Sequence, residues 1–234
     1  MTTAIILAGG LGTRLRTVVP DLPKPMAPIN GRPFLEHQLD YWIAQGVTRF
    51  VLSVGYRHDM IVSHFGNAYR GASLDYAVEQ SPLGTGGGLL MAMERLDGDA
   101  AFLLLNGDTY FEVDLVALHD FHASKQADWT FALFRTTESG RYMGMNMSAC
   151  GRVSSLSSDS GEQNRLANGG VYLVKPQSVR ECQWHAGDNV SLENDILRAA
   201  IESGRRLFGL ECGGNFIDIG VPDDYARASS LLTG

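Results

Sequence analysis

The sequence is short of cysteine, of basic charge and of long apolar runs, and each shortage argues against a class of protein. Three cysteines, Cys150, Cys182 and Cys212, are scattered without C-x-x-C spacing, so neither a zinc site nor a disulfide framework is indicated, and a reducing cytoplasm is expected. The net charge of −7 is a poor basis for binding nucleic acid through its phosphates. No apolar run is long enough to span a membrane, and the N-terminus lacks the basic region of a signal peptide.

The chain does contain enough apolar material for a sizeable core. Hydrophobic residues make up 44% and charged residues 19% of the 234 residues, which is typical of an ordered globular protein. No repeat and no low-complexity linker divides the sequence. We therefore predict a single domain over residues 1–234, with a change of pattern after about residue 125.

Short apolar runs alternate with helical patterns in the first half, which predicts βαβ units and a mainly parallel sheet. The predicted strands are Ala4–Ala8, Phe50–Val54, Leu74–Val78, Ala101–Leu105 and Trp129–Phe134. The predicted helices between them are Phe34–Ile43, Met60–Phe65, Leu89–Leu96 and Val113–Phe121. The second half predicts short strands and turns over Tyr142–Ser158, then strands Gly169–Val174 and Arg206–Leu210 and helices Ser191–Glu202 and Pro222–Leu232.

Glycines and two cations follow the first predicted strand. Ligands of open parallel sheets bind outside the carboxyl ends of the strands, so the loops after Ala8, Val78 and Leu105 are expected to line one crevice. In the first of these loops Gly9, Gly10 and Gly12 can bring backbone N–H groups close to a phosphate chain.

The two cations are Arg14 and Lys24, which can bind phosphate oxygens. The Walker pattern G-x-x-x-x-G-K-[ST] is absent. The dinucleotide-binding pattern G-x-G-x-x-G is incomplete, because Leu15 occupies the position of its third glycine. The segment therefore predicts a triphosphate site of another kind. A tight strand-to-helix turn with a surface arginine would explain the glycines and Arg14 equally well.

The complete string L-A-G-G-L-G-T-R-L, followed by L-P-K-P, resembles the signature of the sugar-1-phosphate nucleotidyltransferases. Further blocks of that family recur in order as P-L-G-T-G-G at 82–87, N-G-D-T at 106–109, N-G-G at 168–170 and F-I-D-I-G at 216–220. The resemblance covers nearly the whole chain. It implies a Rossmann-like α/β three-layer sandwich with a mainly parallel mixed sheet, and a small additional β region for the sugar.

The resemblance also implies a reaction and its participants. The family condenses an NTP with a sugar 1-phosphate, with Mg²⁺, to give an NDP-sugar and pyrophosphate. The nucleotide would be bound by about residues 1–125 and the sugar by about residues 126–234. The residues implied to bind the nucleotide are Leu7, Ala8, Gly9, Gly10, Gly12, Thr13, Glu79, Gly84 and Thr85. Those implied to bind the sugar are Gly144, Asn168, Gly169 and Glu193.

Four residues are implied to be catalytic: Arg14, Lys24, Asp108 and Asp218. Arg14 would bind the departing pyrophosphate and Lys24 would stabilise charge at the α-phosphate. Asp108 and Asp218 would hold Mg²⁺, which prefers few carboxylates together with phosphate oxygens and water. Taken alone, an aspartate after a strand is more often a turn or helix-cap residue than a metal ligand.

Two histidines, His119 and His122, stand three residues apart on a predicted helix. This spacing could indicate a pair of metal ligands, but no third ligand is evident in the sequence. We therefore predict that they are surface histidines.

The nature of Glu79 predicts the nucleotide base. A carboxylate only accepts hydrogen bonds, and guanine offers two adjacent donors. Uracil and thymine place one N–H between two carbonyls, and adenine and cytosine place an acceptor beside their amine. GTP is therefore predicted; the alternative is that Glu79 is a solvated strand-end charge and that Gln80 contacts the base.

Within the family, the opening and closing blocks are similar to the D-glycero-α-D-manno-heptose 1-phosphate guanylyltransferases. This similarity implies GDP-heptose as the product, for capsule or surface-layer glycans, and mannose 1-phosphate is the alternative substrate. The chain departs from many relatives in two places. The segment just before Asn168 lacks the lysine that holds the sugar phosphate in those relatives, and Arg141 or Arg165 could substitute for it. The chain also has Arg-Tyr-Met-Gly where relatives have Arg-Tyr-Gly.

Two other classes of protein fit the sequence less well. A nucleotide-sugar-dependent glycosyltransferase is less consistent, because no Asp-x-Asp stands at a strand end. A non-catalytic nucleotide sensor would not need two aspartates and two cations together. The oligomeric state stays open, a homodimer included.

Overall fold

The computed structural model describes residues 2–98, 100–138, 141–157 and 165–232. Its strands are β1 (Thr2–Ala8), β2 (Pro28–Ile29), β3 (Arg32–Pro33), β4 (Val47–Val54), β5 (Ala68–Tyr69), β6 (Ala72–Val78), β7 (Phe102–Asn106), β8 (Thr109–Phe111), β9 (Trp129–Thr136), β10 (Gly144–Met147), β11 (Val153–Ser157), β12 (Arg165–Val174), β13 (Leu207–Glu211) and β14 (Phe216–Asp218). Its α-helices are α1 (Phe34–Ala44), α2 (His58–Phe65), α3 (Gly84–Met93), α4 (Leu115–Lys125), α5 (Pro176–Arg180), α6 (Arg198–Glu202) and α7 (Pro222–Leu231). Short 3₁₀ turns cover Leu15–Thr17 and Lys24–Met26, and a π-helical turn, Leu192–Leu197, precedes α6.

Ten of the described strands form one mixed sheet whose centre is parallel. Strands β7, β1, β4 and β6 lie side by side and run in the same direction. The long strand β12 runs antiparallel to β7 and pairs along much of its length with β9, while β10 and β11 extend this side of the sheet. The predicted fold class, a Rossmann-like α/β sandwich with a mixed, mainly parallel central sheet, is confirmed.

Successive residues of the central strands face opposite sides of the sheet, which produces three layers. Ala4 and Ile6 of β1 pack into the cluster that contains side chains of α1, α2 and α4. Ile5, between them, packs into the cluster that contains side chains of α3, α5 and α6. Helices thus cover both faces of the parallel strands, and this is why those strands are continuous apolar runs in the sequence.

The predicted elements are present, and the largest difference in their ends is at α3. This helix was predicted to begin at Leu89 but begins at Gly84, because its first turns are mostly glycine and a glycine run has neither helix propensity nor an apolar stripe. The predicted helix Ser191–Glu202 is also divided, into the π turn and α6. The short strands predicted within Tyr142–Ser158 are present as β10 and β11, and the last residue of that range lies outside the described residues.

The prediction that both histidines of α4 lie on the surface is wrong for His122. This residue is 9% exposed, and its Nδ1 lies 2.8 Å from Thr130 Oγ1 on β9. Burial lowers the pKa of His122 to about 4, and it also lowers the pKa of the half-buried His119. His122 shares the buried face of α4 with Leu115 and Leu118, so it is a neutral core residue at ordinary pH.

The three cysteines are free thiols in separate parts of the fold. Cys150 is exposed and the other two are partly buried. Burial raises the pKa of Cys212 to about 11. Separately, none of the helices in the described ranges combines the length and the apolar character needed to cross a membrane.

Helix α4 allows a direct test of where the core lies. Leu118 is fully buried, whereas Val116, two residues away, is 68% exposed. Leu118→Ala should lower the free energy of unfolding by about 2–5 kcal/mol because it leaves a cavity. Val116→Ala should change it by no more than about 0.5 kcal/mol. Urea denaturation measures both, and equal losses would contradict the described packing of α4.

Candidate functional site

The carboxyl ends of the central parallel strands open into one cleft of about 380 Å³. The loops after β1, β6 and β7 all contribute to its wall, as the sequence predicted. Of the predicted site residues, the wall contains Leu7, Ala8, Gly9, Gly10, Lys24, Glu79, Gly84, Thr85, Asp108 and Glu193. The edge of the sheet therefore brings together residues from four distant parts of the chain.

The loop after β1 presents backbone N–H groups that the protein does not use. No hydrogen bond joins the N–H groups of residues 10–14 to another described residue. Gly12 has a φ of +60°, and its carbonyl accepts from Leu15 N at 3.0 Å and Arg16 N at 3.2 Å, which starts the first 3₁₀ turn. Successive free N–H groups of this kind attract anions, so the loop is suited to a phosphate chain.

Arg14 and Thr13 are exposed and stand outside the wall of the cleft. Within the described ranges, the Arg14 guanidinium has no hydrogen bond or ion pair. The neighbouring Arg16 instead stacks on Tyr56, with its guanidinium carbon 4.2 Å from the ring centre. Both interpretations of Arg14, as a phosphate ligand or as a surface charge, are compatible with this position.

Lys24 and the two predicted metal carboxylates meet at the ribbon formed by β8 and β14. Lys24 Nζ lies 2.5 Å from Asp108 Oδ2 in an ion pair that is partly shielded from water. Asp218 is the register partner of Thr109 across the ribbon and therefore lies beside Asp108. The backbone joins the same two segments, because Ile219 N donates to the Asp108 carbonyl at 3.0 Å.

The electrostatics of this ribbon suit a bound cation. Burial raises the pKa of Asp218, the charge of Asp108 raises it further, and Lys24 lowers it. Residues 2–98, 100–138, 141–157 and 165–232 contain no group of three or more His, Cys, Asp or Glu side chains placed to hold a metal. The protein would thus supply two carboxylates and leave other positions to phosphate oxygens and water, a donor set that fits a hard divalent cation.

Gln38 of α1 holds the loop that carries Asp108, and the sequence analysis missed it. The residue is 2% exposed, and its Nε2 donates to the carbonyls of Asn106, at 2.8 Å, and Thr109. These two carbonyls flank Asp108 in the chain. The available signal was an uncharged polar residue next to the predicted apolar positions Leu35 and Leu39 of α1.

The Glu79 carboxylate points into the cleft at the end of β6. Its Oε1 accepts from Ser53 Oγ at 3.0 Å, and its Oε2 accepts from Leu83 N at 3.2 Å. A Cβ atom at Gly9 would overlap Oε1, so the carboxylate requires glycine there. Gln80 is exposed and is not part of the wall, so the geometry favours Glu79 over Gln80 as the residue that faces a bound base.

Ser53 is a second residue that the sequence analysis missed. It is fully buried, and it is the one hydroxyl within the apolar string F-V-L-S-V of β4. Because a buried hydroxyl requires a hydrogen-bond partner, an isolated serine in such a strand is a usable signal. The Ser53 hydroxyl donates to Glu79 Oε1 and so holds the carboxylate in place, with its oxygens acting as acceptors.

The beginning of α3 connects the predicted nucleotide residues with a predicted sugar residue. Gly84 has a φ of +75°, and a Cβ atom there would lie 2.5 Å from the carbonyl oxygen of Val190. The first turn of α3 therefore rests directly on the segment before the π turn. Thr85 Oγ1 donates to Glu193 Oε2 at 3.1 Å, so these two predicted site residues are in contact.

The other predicted sugar residues lie on β10 and β12, beside the cleft and not in its wall. Asn168 Nδ2 donates to Tyr172 Oη at 2.6 Å, at a break in the pairing of β12 with β9. A Cβ atom at Gly169 would overlap the Phe111 ring. Close packing thus accounts for Asn168 and Gly169, and Gly144 is a buried strand residue; their contact with a sugar stays a prediction.

The two arginines considered as substitutes for the missing lysine differ in availability. Arg165 is 7% exposed and donates to the carbonyl of Tyr142 at 2.8 Å, so it is committed to holding the backbone. Arg141 forms ion pairs with Glu138, at 3.0 Å, and Asp224. It is close enough to Asp218 to lower the pKa of that carboxyl. Arg141 is therefore the better placed of the two.

Free amides, a lysine and Asp108 at the edge of the parallel sheet, with Asp218 on the adjoining ribbon, make an α/β protein with a site suited to a phosphate chain. Comparison with known proteins is more specific. Residues 3–234 match the nucleotidyl transferase family, and the chain belongs to this family. It is thus an enzyme of the nucleotidyltransferase type.

Two of its relatives carry the same name within that family. The chain is 41% identical to a D-glycero-alpha-D-manno-heptose 1-phosphate guanylyltransferase of Aneurinibacillus thermoaerophilus, over 98% of this chain and 97% of the relative. It is 35% identical to the enzyme of the same name from Campylobacter jejuni, over 95% and 96% of the two chains. The structure of HddC from Yersinia pseudotuberculosis complexed with GMP-PN matches with a TM-score of 0.85 and 32% identity, over 100% of both chains.

The contacts of Gln38 predict that it supports cation binding. Gln38→Leu should weaken the binding of Mn²⁺ in the presence of GTP by about tenfold, the lower end of what outer contacts of a metal site contribute. Electron paramagnetic resonance of free Mn²⁺ measures the affinity directly.

Gln45, the residue that caps the C-terminal end of the same helix, is the matched control. It makes comparable bonds to the Val113 carbonyl, at 3.0 Å, and to Leu115 N, at 2.8 Å, away from Asp108. Gln45→Leu should lower the free energy of unfolding by about 1–3 kcal/mol, and it should change the Mn²⁺ affinity by no more than about twofold. Equal Mn²⁺ affinities of the two variants would remove the assigned role of Gln38.

Proposed function

We propose that the protein transfers a guanylyl group from GTP to a sugar 1-phosphate, giving a GDP-sugar and pyrophosphate. The observation that carries the choice of base is the Glu79 carboxylate, which faces the cleft as a pure acceptor. Its remaining lone pairs suit the adjacent N1–H and N2 amine of guanine and would repel the carbonyls of uracil or thymine. The names of the relatives at 41% and 35% identity, both guanylyltransferases, support the same choice.

Chemistry in this proposal is an in-line attack on the α-phosphorus of GTP. An oxygen of the sugar phosphate forms the new P–O bond while the bond to the β-phosphate bridging oxygen breaks and pyrophosphate departs. The attacking phosphate is already an anion, so no general base is required. Rate enhancement then comes from positioning and from electrostatic stabilisation.

Each charged group has a place in this proposal. The free N–H groups after β1 and Arg14 bind the departing phosphates, and Lys24 stabilises charge that develops on the α-phosphate. Lys24 forms an ion pair with Asp108, so it lies beside the carboxylates proposed to hold the metal. Mg²⁺ held by Asp108 and Asp218 would neutralise phosphate charge and orient the attacking oxygen.

We propose D-glycero-α-D-manno-heptose 1-phosphate as the sugar substrate, with GDP-heptose as the product. The support is the shared name of the two relatives that are 41% and 35% identical to this chain. Gly144, Asn168, Gly169 and Glu193 are assigned to the sugar, in a half of the chain that begins at about residue 126. Mannose 1-phosphate is the alternative, because both sugars share the ring stereochemistry.

A matrix of substrates tests the proposal. The protein is mixed with Mg²⁺, each of GTP, UTP, dTTP, ATP and CTP, and either heptose, mannose or glucose 1-phosphate, and pyrophosphate release is measured. GTP with heptose 1-phosphate should give the highest kcat/KM. A glycosyltransferase would consume GDP-sugar and release no pyrophosphate, and absence of release from every mixture would refute the proposal.

Substitution of Glu79 tests the base assignment. Glu79→Gln places an amide donor against a guanine donor and should lower kcat/KM for GTP by about 10- to 100-fold, in line with hydrogen bonds to charged groups of about 1.5–3 kcal/mol. Gln80→Ala, at the exposed neighbour, should leave it nearly unchanged. If Gln80→Ala carries the loss and Glu79→Gln does not, Gln80 contacts the base.

A further inference from the structure

Two distant segments of the chain are hydrogen-bonded into one unit at the cleft. Residues 82–87, which follow Glu79, include the first turn of α3, and residues 189–193 include the start of the π turn. Val190 N donates to the Leu83 carbonyl at 2.9 Å, and the Val190 carbonyl accepts from Gly86 N at 2.9 Å. The base side of the cleft and Glu193 are therefore parts of the same rigid contact.

The Thr85 hydroxyl is the side-chain member of this contact. Its Oγ1 accepts from Leu192 N at 2.9 Å and donates to Glu193 Oε2 at 3.1 Å. Leu192 is the first residue of the π turn, and the first N–H groups of a helix have no acceptor inside it. Thr85, on α3, supplies the acceptor for Leu192 N and donates to the carboxylate of the next residue, Glu193.

These two bonds limit what the hydroxyl can do for a nucleotide. A threonine hydroxyl has one proton, and here the proton goes to Glu193. The remaining lone pair can only accept a hydrogen bond, and ionised phosphate oxygens are acceptors too. The Thr85 side chain is thus unsuited to bind the triphosphate, although it was predicted among the nucleotide-binding residues.

We propose that Thr85 is a positioning residue that aims the Glu193 carboxylate at the hydroxyls of the sugar 1-phosphate. The inference rests on the proposed function, in which Glu193 accepts from the sugar. Ser191 supports the same geometry, because its Oγ lies 3.3 Å from Glu193 Oε2 and caps Asn194 N at 3.1 Å. Without the Thr85 hydroxyl, the carboxylate loses a fixed donor and Leu192 N loses its acceptor.

A purely structural role makes a different prediction. If Thr85 only caps the π turn, its removal lowers stability, as loss of a cap does elsewhere, and leaves substrate affinities alone. If Thr85 positions Glu193, the Michaelis constant for the sugar 1-phosphate rises while the affinity for GTP is kept. The two roles are therefore separated by comparing the two substrates.

Thr85→Val removes the hydroxyl and keeps the shape of the side chain. At saturating GTP and Mg²⁺ it should raise the KM for the sugar 1-phosphate about tenfold, which corresponds to about 1.4 kcal/mol. The dissociation constant of GTP, measured by calorimetry without sugar phosphate, should change by less than about twofold. Thr85→Ser keeps the hydroxyl and should restore the wild-type KM.

Further variants make the result specific to Glu193. Glu193→Gln should also raise the KM for the sugar 1-phosphate. In the Glu193→Gln background, Thr85→Val should raise this KM by much less than it does in the wild-type protein, because the two residues act as a unit. Ser124→Ala removes an exposed hydroxyl that donates to the Phe121 carbonyl at 2.8 Å, and it should alter neither substrate. If Thr85→Val does not fold, Thr85→Ala against Thr85→Ser gives the same comparison.

The outcomes separate this inference from the proposed function. No pyrophosphate release by the wild-type protein refutes the proposed function before any variant is compared. With an active wild type, an unchanged KM for the sugar 1-phosphate in Thr85→Val overturns the inference alone. A GTP dissociation constant that rises as much as the sugar KM also overturns it, because Thr85 would then bind the nucleotide.

Discussion

The parallel strands β7, β1, β4 and β6 are buried on both faces, and their carboxyl ends lie along one edge of the sheet. Backbone at that edge can no longer pair with a neighbouring strand, so its N–H groups and the side chains that follow each strand are available to a ligand. The amide loop after Ala8, the Glu79 carboxylate and Asp108 all occupy this edge. Every proposed step of nucleotidyl transfer depends on the alignment of these strand ends.

A second layer of polar contacts sets the orientation of the groups at the edge. Gln38 reaches from α1 to the backbone on both sides of Asp108, Ser53 donates to Glu79, and Thr85 donates to Glu193. Gln38 and Ser53 are buried polar residues whose bonds stabilise the fold and also hold the segment of Asp108 and the Glu79 carboxylate. The exposed Thr85 hydroxyl contacts the partly buried Glu193. Stability and site geometry are therefore coupled in this protein.

The local pattern of the sequence was sufficient for most of the fold. Apolar runs that end in glycine or a polar residue mark β1, β4, β6 and β7 because those strands are covered on both faces. The pattern failed where backbone contacts override propensity. Helix α3 starts in a glycine run because its first turn rests on Val190, and His122 is buried because α4 turns that face to β9.

The sequence by itself determined the family. It also predicted the phosphate loop, Lys24 and the two aspartates, because each lies in a short contiguous motif. The tertiary structure alone decided which side chains position the residues of the site. Thr85 and Glu193 are 108 positions apart, and Gln38 and Asn106 are 68 apart. A hydrogen bond at such separation leaves no periodicity in the chain, because it depends on how helices pack against the sheet and not on local backbone geometry.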